Sequence, residues 1–490
     1  MARINTNIAS FIAQRNLGRS TQSLNQSLER LSTGLRINRG ADDPAGLITS
    51  ERLRSEISGL QAAVGNSQRA SSVIATTEGA LSEVADLLNS IQGLVVQSAN
   101  TGGLSQEEID ANQLQVDSAI DSITRISNTA SFAGLQLLNG SLDYLTSGVS
   151  TSAIRDVQIF GANFGVNSSI PVTVDVLSSA TTAQISLGAN YTGSANDGTI
   201  LSTLTLEISG VEGVQTLEFV SGTSMSAVVN AINTLKDSTG VSALLADPTN
   251  QSSGIIFSSS EFGSNAFVGV RRLGSSGDFF DSRISSQRVT GNDVTAIVNG
   301  ALAVGDGLNI SIRNPTLKLE LLLDPTFAQQ TVNDATFEIT GGGALYQVGS
   351  EVKVNQQISF GVGSIAASRL GGVLNGDEMQ FLNSLKTGGI NSLSNANNLD
   401  NGSKILSRAI DQIAVLRGSL GATERNTLQT NIRSLQVSIE NTTAANSKIR
   451  DADFAFETAQ LSRAQILQSA GISVLATANS TNANVLQLLG

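Results

Sequence analysis

Two close pairs of acidic residues, Asp42-Asp43 and Asp451 with Asp453, are the groups in this 490-residue sequence whose spacing could do chemistry. Paired carboxylates can bind a cation or divide acid and base roles between a protonated and an ionised member. Either role needs company, and the chain contains no His and no Cys. The commonest general base, the commonest metal ligand and all thiol chemistry are thereby removed. The sequence contains no phosphate-cradling glycine loop, serine triad or metal-ligand spacing. The pairs have a second role that needs no partner. A carboxylate just before a helix accepts hydrogen bonds from its free amides and complements its dipole. Asp42 and Asp43 stand directly before Pro44, which favours a first helical turn. Asp451 and Asp453 stand where the terminal helical pattern begins. Capping is the expected role, and the expected chemistry is none: not an enzyme, no metal, no cofactor.

Other candidates read in the same way. Asn167-Ser-Ser169 and Asn190-Tyr-Thr192 match the N-glycosylation acceptor pattern, as chance allows in a chain rich in Asn, Ser and Thr. Lys448 and Arg463 are isolated cations on a polar face, suited to pairs within a helix or between subunits rather than to ligand contacts. The net charge of −12 argues against phosphate-backbone binding, which needs clustered Lys and Arg. No apolar run reaches the ~18 residues that suggest a membrane span. The amino terminus lacks the apolar core of a cleavable signal, so secretion would use another route.

The elements follow from hydrophobic period. Ile4, Ile8, Phe11, Ile12, Leu17, Leu24, Leu28, Leu31 and Leu35 recur at helical spacing, with Leu24, Leu28, Leu31 and Leu35 stepping as in a coiled-coil seam. Alone, such a segment does not bury enough to offset the entropy of ordering it. Gly34, Arg36, Asn38, Asp42, Asp43 and Pro44 form a connecting loop. Helical stripes follow at Leu53–Val64, at Leu81–Val95 and, behind a capping box at Ser105 and Glu108, at Val116–Ser127. Beyond Phe132 the period drops towards two. Val172, Val174 and Val176 alternate with polar residues, as do Leu317, Leu319, Leu321 and Leu323. A ββαββ unit is predicted over about 200–273, with Met225, Val228, Val229, Ile232 and Leu235 on the inner face of its helix. Helical period returns at Ile405–Leu420 and Leu428–Ile439. In the terminal stretch 447–490 an apolar stripe runs through Ile466, Leu467, Ala470, Val474, Ala478 and Val485 to Leu486 and Leu489. The fold class is an α+β multidomain chain. Its long amino- and carboxy-terminal helices pair as a coiled coil or helical bundle, and the β-rich middle is inserted between them.

LSTGLRINRGADDPAG at 31–46, LVVQSAN at 94–100, and SKIRDADFAFETAQLSRAQILQSAGISVLATANSTNANVLQLL at 447–489 closely resemble bacterial flagellin, over about 1–140 and 400–490. The resemblance implies a filament subunit for swimming motility, with a hook–filament junction protein as the alternative. It implies an inner-tube coiled coil from 1–44 and 448–490 and an outer-tube helical domain with a β-hairpin from 45–170 and 358–447. Inserted outer domains would occupy 171–285, of α+β type, and 286–357, β-rich. The implied partners are further copies of the chain, junction and cap proteins, and an export chaperone with a type III export apparatus. Nucleic acid and membrane are not among them, and the location is the extracellular flagellum. Family members that activate a vertebrate innate receptor carry an Arg just before the position of Ile91 and a Glu on the next helix. Here those places read Ser90 and Gln115, leaving Leu94 and Gln97 as the remaining patch. The zinc-protease insert of some relatives requires H-E-x-x-H, which a chain without His cannot supply.

Overall fold

A computed structural model describes residues 6–489 except 166, 189–197, 250–253, 277–279, 282, 315, 332–333, 376–377 and 396–397. The side chains of 482–489 are also outside the description. Ile4, Asn190-Tyr-Thr192 and the side chains of Val485, Leu486 and Leu489 therefore fall outside it. The chain divides into two units, one of 1–71, 347–357 and 424–490, the other of 72–346 and 358–423.

The long helices are α1 (Ile8–Thr33), α2 (Pro44–Ser98), α3 (Gln106–Thr129), α4 (Met225–Thr234), α5 (Leu399–Ala422), α6 (Gln429–Arg450) and α7 (Phe454–Leu489). The stripes expected at Leu53–Val64 and Leu81–Val95 belong to one uninterrupted 55-residue helix, α2. Ala70, Val73 and Ile74 between them are buried and carry the helical period across, and the two buried hydroxyls there bond back within the helix. Ser67 donates to the Ala63 carbonyl and Thr77 to that of Val73, each at 2.8 Å.

In the first unit, α1 is capped by Asn7, whose side chain accepts from the Ser10 amide, and ends at Gly34 with φ 72°. That left-handed turn suits Gly and returns its amide to the Arg30 carbonyl. Leu60, Ala63 and Leu435 form a small apolar cluster between α2 and α6. The 347–357 segment sits on it, with Asn431 donating to the Val348 carbonyl at 2.7 Å. A Cβ on Gly59 would meet the Ser350 carbonyl oxygen at 3.0 Å, so the close approach uses the missing side chain.

In the second unit the predicted stripes are inside. Leu81, Val84, Leu88, Ile91, Val116, Ile120, Ile123, Ile405 and Ala409 are all fully buried. The capping box forms as expected, Ser105 with Glu108. Gln113 ties α3 to the 382–395 segment, donating to the Leu385 carbonyl and accepting from the Leu393 amide.

The middle of the chain builds two β-rich cores. One five-stranded sheet runs in the order Ala301–Leu302, Thr295–Val298, Ile170–Ser178, Asp334–Gly342, Tyr144–Ser147. A four-stranded sheet places Leu317–Leu323 against Ile154–Ala162 and Asn309–Arg313. Together they bury Val172, Val174, Val176, Leu319, Leu321 and Phe337. The second core lies inside this one in sequence. There the strands Leu204–Ser209 and Val214–Phe219, helix α4 and the strands Val241–Leu245 and Gly254–Phe262 follow in ββαββ order, with a strand after the helix that differs from the expected set. Val241–Leu245 is a strand that the sequence reading missed, and a further strand, Phe267–Leu273, follows the unit. Met225, Val228, Val229 and Ile232 face that core as predicted.

The domain boundaries expected at 171 and 286 do not follow the sheets. Ile154–Ala162, assigned to the outer-tube part, pairs with Leu317–Leu323, and Ile170–Ser178 pairs across to Thr295–Val298. Alternation identifies a strand, but the partner of an antiparallel strand can lie anywhere in the chain.

Candidate assembly interface

Helices α1 and α7 pack against each other along their length. They run antiparallel: the Asn7 side-chain amide Nδ2 donates to the Ala478 carbonyl at 2.9 Å, while Arg30 and Glu457 meet at 2.9 Å near the other end. Among the less exposed positions of α1, Ser10, Ala13, Leu17, Ser20, Leu24, Ser27 and Leu31 form a line stepping three and four, flanked by Thr21, Glu29 and Arg30. On α7 they are Glu457, Leu461, Ala464, Gln468, Gly471, Leu475 and Ala478, with the same alternation. Two such stripes are the heptad seam of a coiled coil. Large faces small across it, and a Cβ placed on Gly471 would lie 3.7 Å from that of Leu17.

The residues predicted for subunit packing divide on this geometry. Leu17, Leu24 and Leu31 enter the seam within the chain. Ile8, Ile12, Leu28, Ile466, Leu467 and Val474 do not, and remain 56%, 46%, 48%, 68%, 48% and 57% exposed. Ala470 is exposed with them. The step Leu24–Leu28–Leu31 is therefore not the intrachain seam: Leu28 lies off the Leu17–Leu24–Leu31 line. Phe11, Phe454, Phe456 and Ile472 add to the outward apolar set. Of the seam's small and polar members the sequence reading placed Ala478 but passed over Ser10, Ala13, Ser20, Ser27, Glu457, Ala464 and Gln468, because a search for large apolar residues skips them. Their heptad spacing was the signal.

The connecting loop is held by its carboxylates. Asp42 Oδ2 accepts from the amides of Asn38 at 3.1 Å and Arg39 at 2.9 Å. The hydrogen bond from the Arg39 amide leads in holding the Asp42 carboxyl below its ordinary range, assisted by the bond from the Asn38 amide and by the charges of Arg30 and Arg39. Asp43 Oδ1 accepts from the Gly46 amide at 2.9 Å, which makes it the cap of α2 ahead of Pro44. A Cβ on Gly46 would come within 2.7 Å of Ile37 and 2.5 Å of Asp43, so that turn admits only Gly without a shift. Ile37 beneath it is fully buried. The Arg36 amide donates to the Arg450 carbonyl and the Ala452 amide to that of Gly34, pinning the loop to the α6–α7 junction. Asp453 accepts from the Phe456 amide and caps α7. Asp451 instead accepts from the Ser447 hydroxyl and bridges Leu35 through its backbone.

In the second unit, Leu94 is half-buried while Gln97 and Gln115 are exposed. The Ser90 hydroxyl turns back to the Asp86 carbonyl. A cavity of about 100 Å³ is lined by Asp143, Asp156, Gln158, Arg369 and Gln412 among others. Burial pushes the Asp143 carboxyl above its ordinary range, against the pull of the Tyr144 amide and the Arg369 charge. Among the described residues no three acidic side chains gather as a metal would require, and no helix is long and apolar enough to cross a membrane.

Three family models match the chain. They are the bacterial flagellin N-terminal helical region over 4–143, the flagellin hook IN motif over 205–261 and the bacterial flagellin C-terminal helical region over 403–489. The matched IN motif coincides with the ββαββ unit. Across 99% of both chains, the sequence is 30% identical to the B-type flagellin of Pseudomonas aeruginosa and 28% identical to a flagellin of Salmonella choleraesuis. Helical matches at both ends, with likeness running through the whole length, establish that this chain belongs to the bacterial flagellin family, the structural subunits of the flagellar filament.

Proposed function

We propose that the outward apolar faces of α1 and α7 are the surfaces through which copies of this chain polymerise, and that the two helices become ordered there. The observation that carries this reading is the division of the terminal side chains: Leu17, Leu24 and Leu31 pack against small residues in the intrachain seam, while Ile8, Ile12, Leu28, Ile466, Leu467 and Val474 are left exposed. Exposing so many large apolar side chains is costly in water, and neighbouring subunits relieve it. Folding of the ends is then coupled to assembly, which suits export as an unfolded chain followed by growth outside the cell.

On this reading 1–44 and 448–490 form the inner tube, the helical parts of 45–170 and 358–447 contribute the outer tube, and the β-rich middle, whose sheets take in Ile154–Ala162, projects outward. Ile4, Val485, Leu486 and Leu489, which the sequence assigns to the same two helices, are expected to extend the inner contact. Junction and cap proteins would meet the two ends of the polymer, and an export chaperone would hold the chain before secretion. The vertebrate innate receptor is a weakened partner, since Ser90 and Gln115 replace the charged contacts beside Leu94 and Gln97.

Seeded elongation tests the proposal. Heat-dissociated protein added to filament fragments should extend them by many subunits, seen by electron microscopy. Addition that stops after a few copies at the fragment ends would favour the junction-protein reading. Removal of Val485–Gly490 should abolish elongation and leave the insert folded. Normal filaments from that truncation would sink the mechanism.

A further inference from the structure

We propose that the Arg30–Glu457 ion pair sets the register of α1 against α7, so that the inner helices present one arrangement of outward side chains to neighbouring copies. This rests on the assembly reading and adds a positioning role to it.

The seam does not choose its own register. Leu17, Leu24 and Leu31 lie a heptad apart on α1, and the register that sets Leu17 against Gly471 and Arg30 beside Glu457 places Leu24 opposite Ala464. On α7 the small residues Ala464, Gly471 and Ala478 are also a heptad apart. A slip of seven residues, about 10.5 Å at 1.5 Å per residue, moves Leu17 from Gly471 to Ala464 or Ala478 and again sets large against small. Repeats of this kind leave alternative pairings close in energy.

Polar groups break the degeneracy. Glu457 is a seam residue whose side chain is only 4% exposed, and its carboxylate meets the Arg30 guanidinium at 2.9 Å. Slipped one way, that carboxylate faces Leu24 without its cation. Slipped the other way, it passes beyond the end of α1 and Arg30 loses its anion. A buried charge without its partner is heavily penalised, so each slip costs what the apolar seam does not. The Gln468–Thr21 contact at 3.5 Å and the Asn7–Ala478 bond act in the same sense but involve no ion pair. The backbone bridge between Leu35 and Asp451 holds the base of the pair. Whether it also dictates the register farther up is the competing explanation.

The absence of native cysteine makes a disulfide reporter clean. The 3.7 Å separation at Leu17 and Gly471 is that of a bonded cysteine pair. Leu17→Cys combined with Gly471→Cys reports the native register; combined with Ala464→Cys or Ala478→Cys it reports the two slips. Each pair is oxidised in sedimented polymer, and intrachain bonds are read from monomer mobility on a denaturing gel. With Glu457 present, only the native pair should close. With Glu457→Gln, the ratio of slipped to native disulfide should rise at least about tenfold. Recovery of the native pair by the exchange Arg30→Glu with Glu457→Arg would complete the case.

A native-only pattern at the original rate in Glu457→Gln polymer overturns the proposal and leaves the register to the Leu35–Asp451 bridge. If Glu457→Gln does not sediment at all, the exchange decides: regained polymer with native cross-linking supports the ion pair, and failure overturns it. The assembly reading falls separately, if the unsubstituted protein itself forms no polymer.

Discussion

Replacing Ile466, Leu467 and Val474 together by Gln tests the assembly surface where the structure allows a magnitude to be worked. Gln keeps helix propensity near that of the residues it replaces, so α7 itself is little disturbed. Within one chain these side chains are already 68%, 48% and 57% exposed, so the isolated subunit loses little by the change. Full burial of such a side chain contributes about 1.5–3 kcal/mol, and about half to two-thirds of each remains to be buried by neighbours. That gives about 1–2 kcal/mol apiece and about 3–5 kcal/mol per subunit for the triple variant. At a factor of ten for each 1.4 kcal/mol, the critical concentration for polymerisation should rise roughly 10²- to 10⁴-fold. It is measured as the protein left in the supernatant after seeded assembly and sedimentation. Thermal unfolding of the second unit, whose core around Leu81 and Ile120 is untouched, should be unchanged. A critical concentration within threefold of the parent would refute the argument that these faces are buried between subunits.

Asp143 should give a pH dependence of opposite sign to that of a typical salt-bridged carboxylate. Its folded pKa is raised by burial, so its contribution is fully present below the unfolded carboxyl value and is lost as pH rises through the folded one. Asp143→Asn should therefore raise the melting temperature at pH 7 and have little effect near pH 3, read by calorimetry at both. Asp43→Ala removes the cap of α2 and should cost about 1 kcal/mol, detected as faster amide exchange over 43–48. Tyr144→Phe leaves the buried Ala162 amide without the phenol oxygen it reaches at 2.9 Å, and should cost about 1–3 kcal/mol in denaturant melts. Gly46→Val drives a side chain into Ile37 and Asp43 and should raise protease sensitivity in the 34–46 loop above that of Gly18→Val, a site with open space.

The roles of the acidic pairs were legible because they are local. A carboxylate before Pro44 or before the α7 pattern has amides within three residues, and Asp43 and Asp453 take them. Asp451 was not legible, since its bridge to Leu35 depends on two segments that meet only in the folded chain. Asp143 drew no attention in the sequence for the same reason: its burial is created by Ile159, Gly363 and the α5 residues around one cavity.

The sequence by itself determined the long terminal helices, the alternating strands and the ββαββ unit apart from Val241–Leu245, because period and capping are properties of a dozen neighbouring residues. It also determined the absence of thiol and imidazole chemistry, which composition alone decides. Only the tertiary structure decided which side of each terminal helix is the inner one. A helix carrying apolar residues on more than one face has no preferred face until a partner is present. The partner here selects Ser10, Ala13, Ser27, Ala464 and Gly471, whose small size lets two backbones approach, and turns Ile466, Leu467 and Val474 outward. Strand pairing was decided there too, since Ile154–Ala162 and Leu317–Leu323 meet across more than 150 residues of chain through hydrogen bonds that leave no trace in either segment alone.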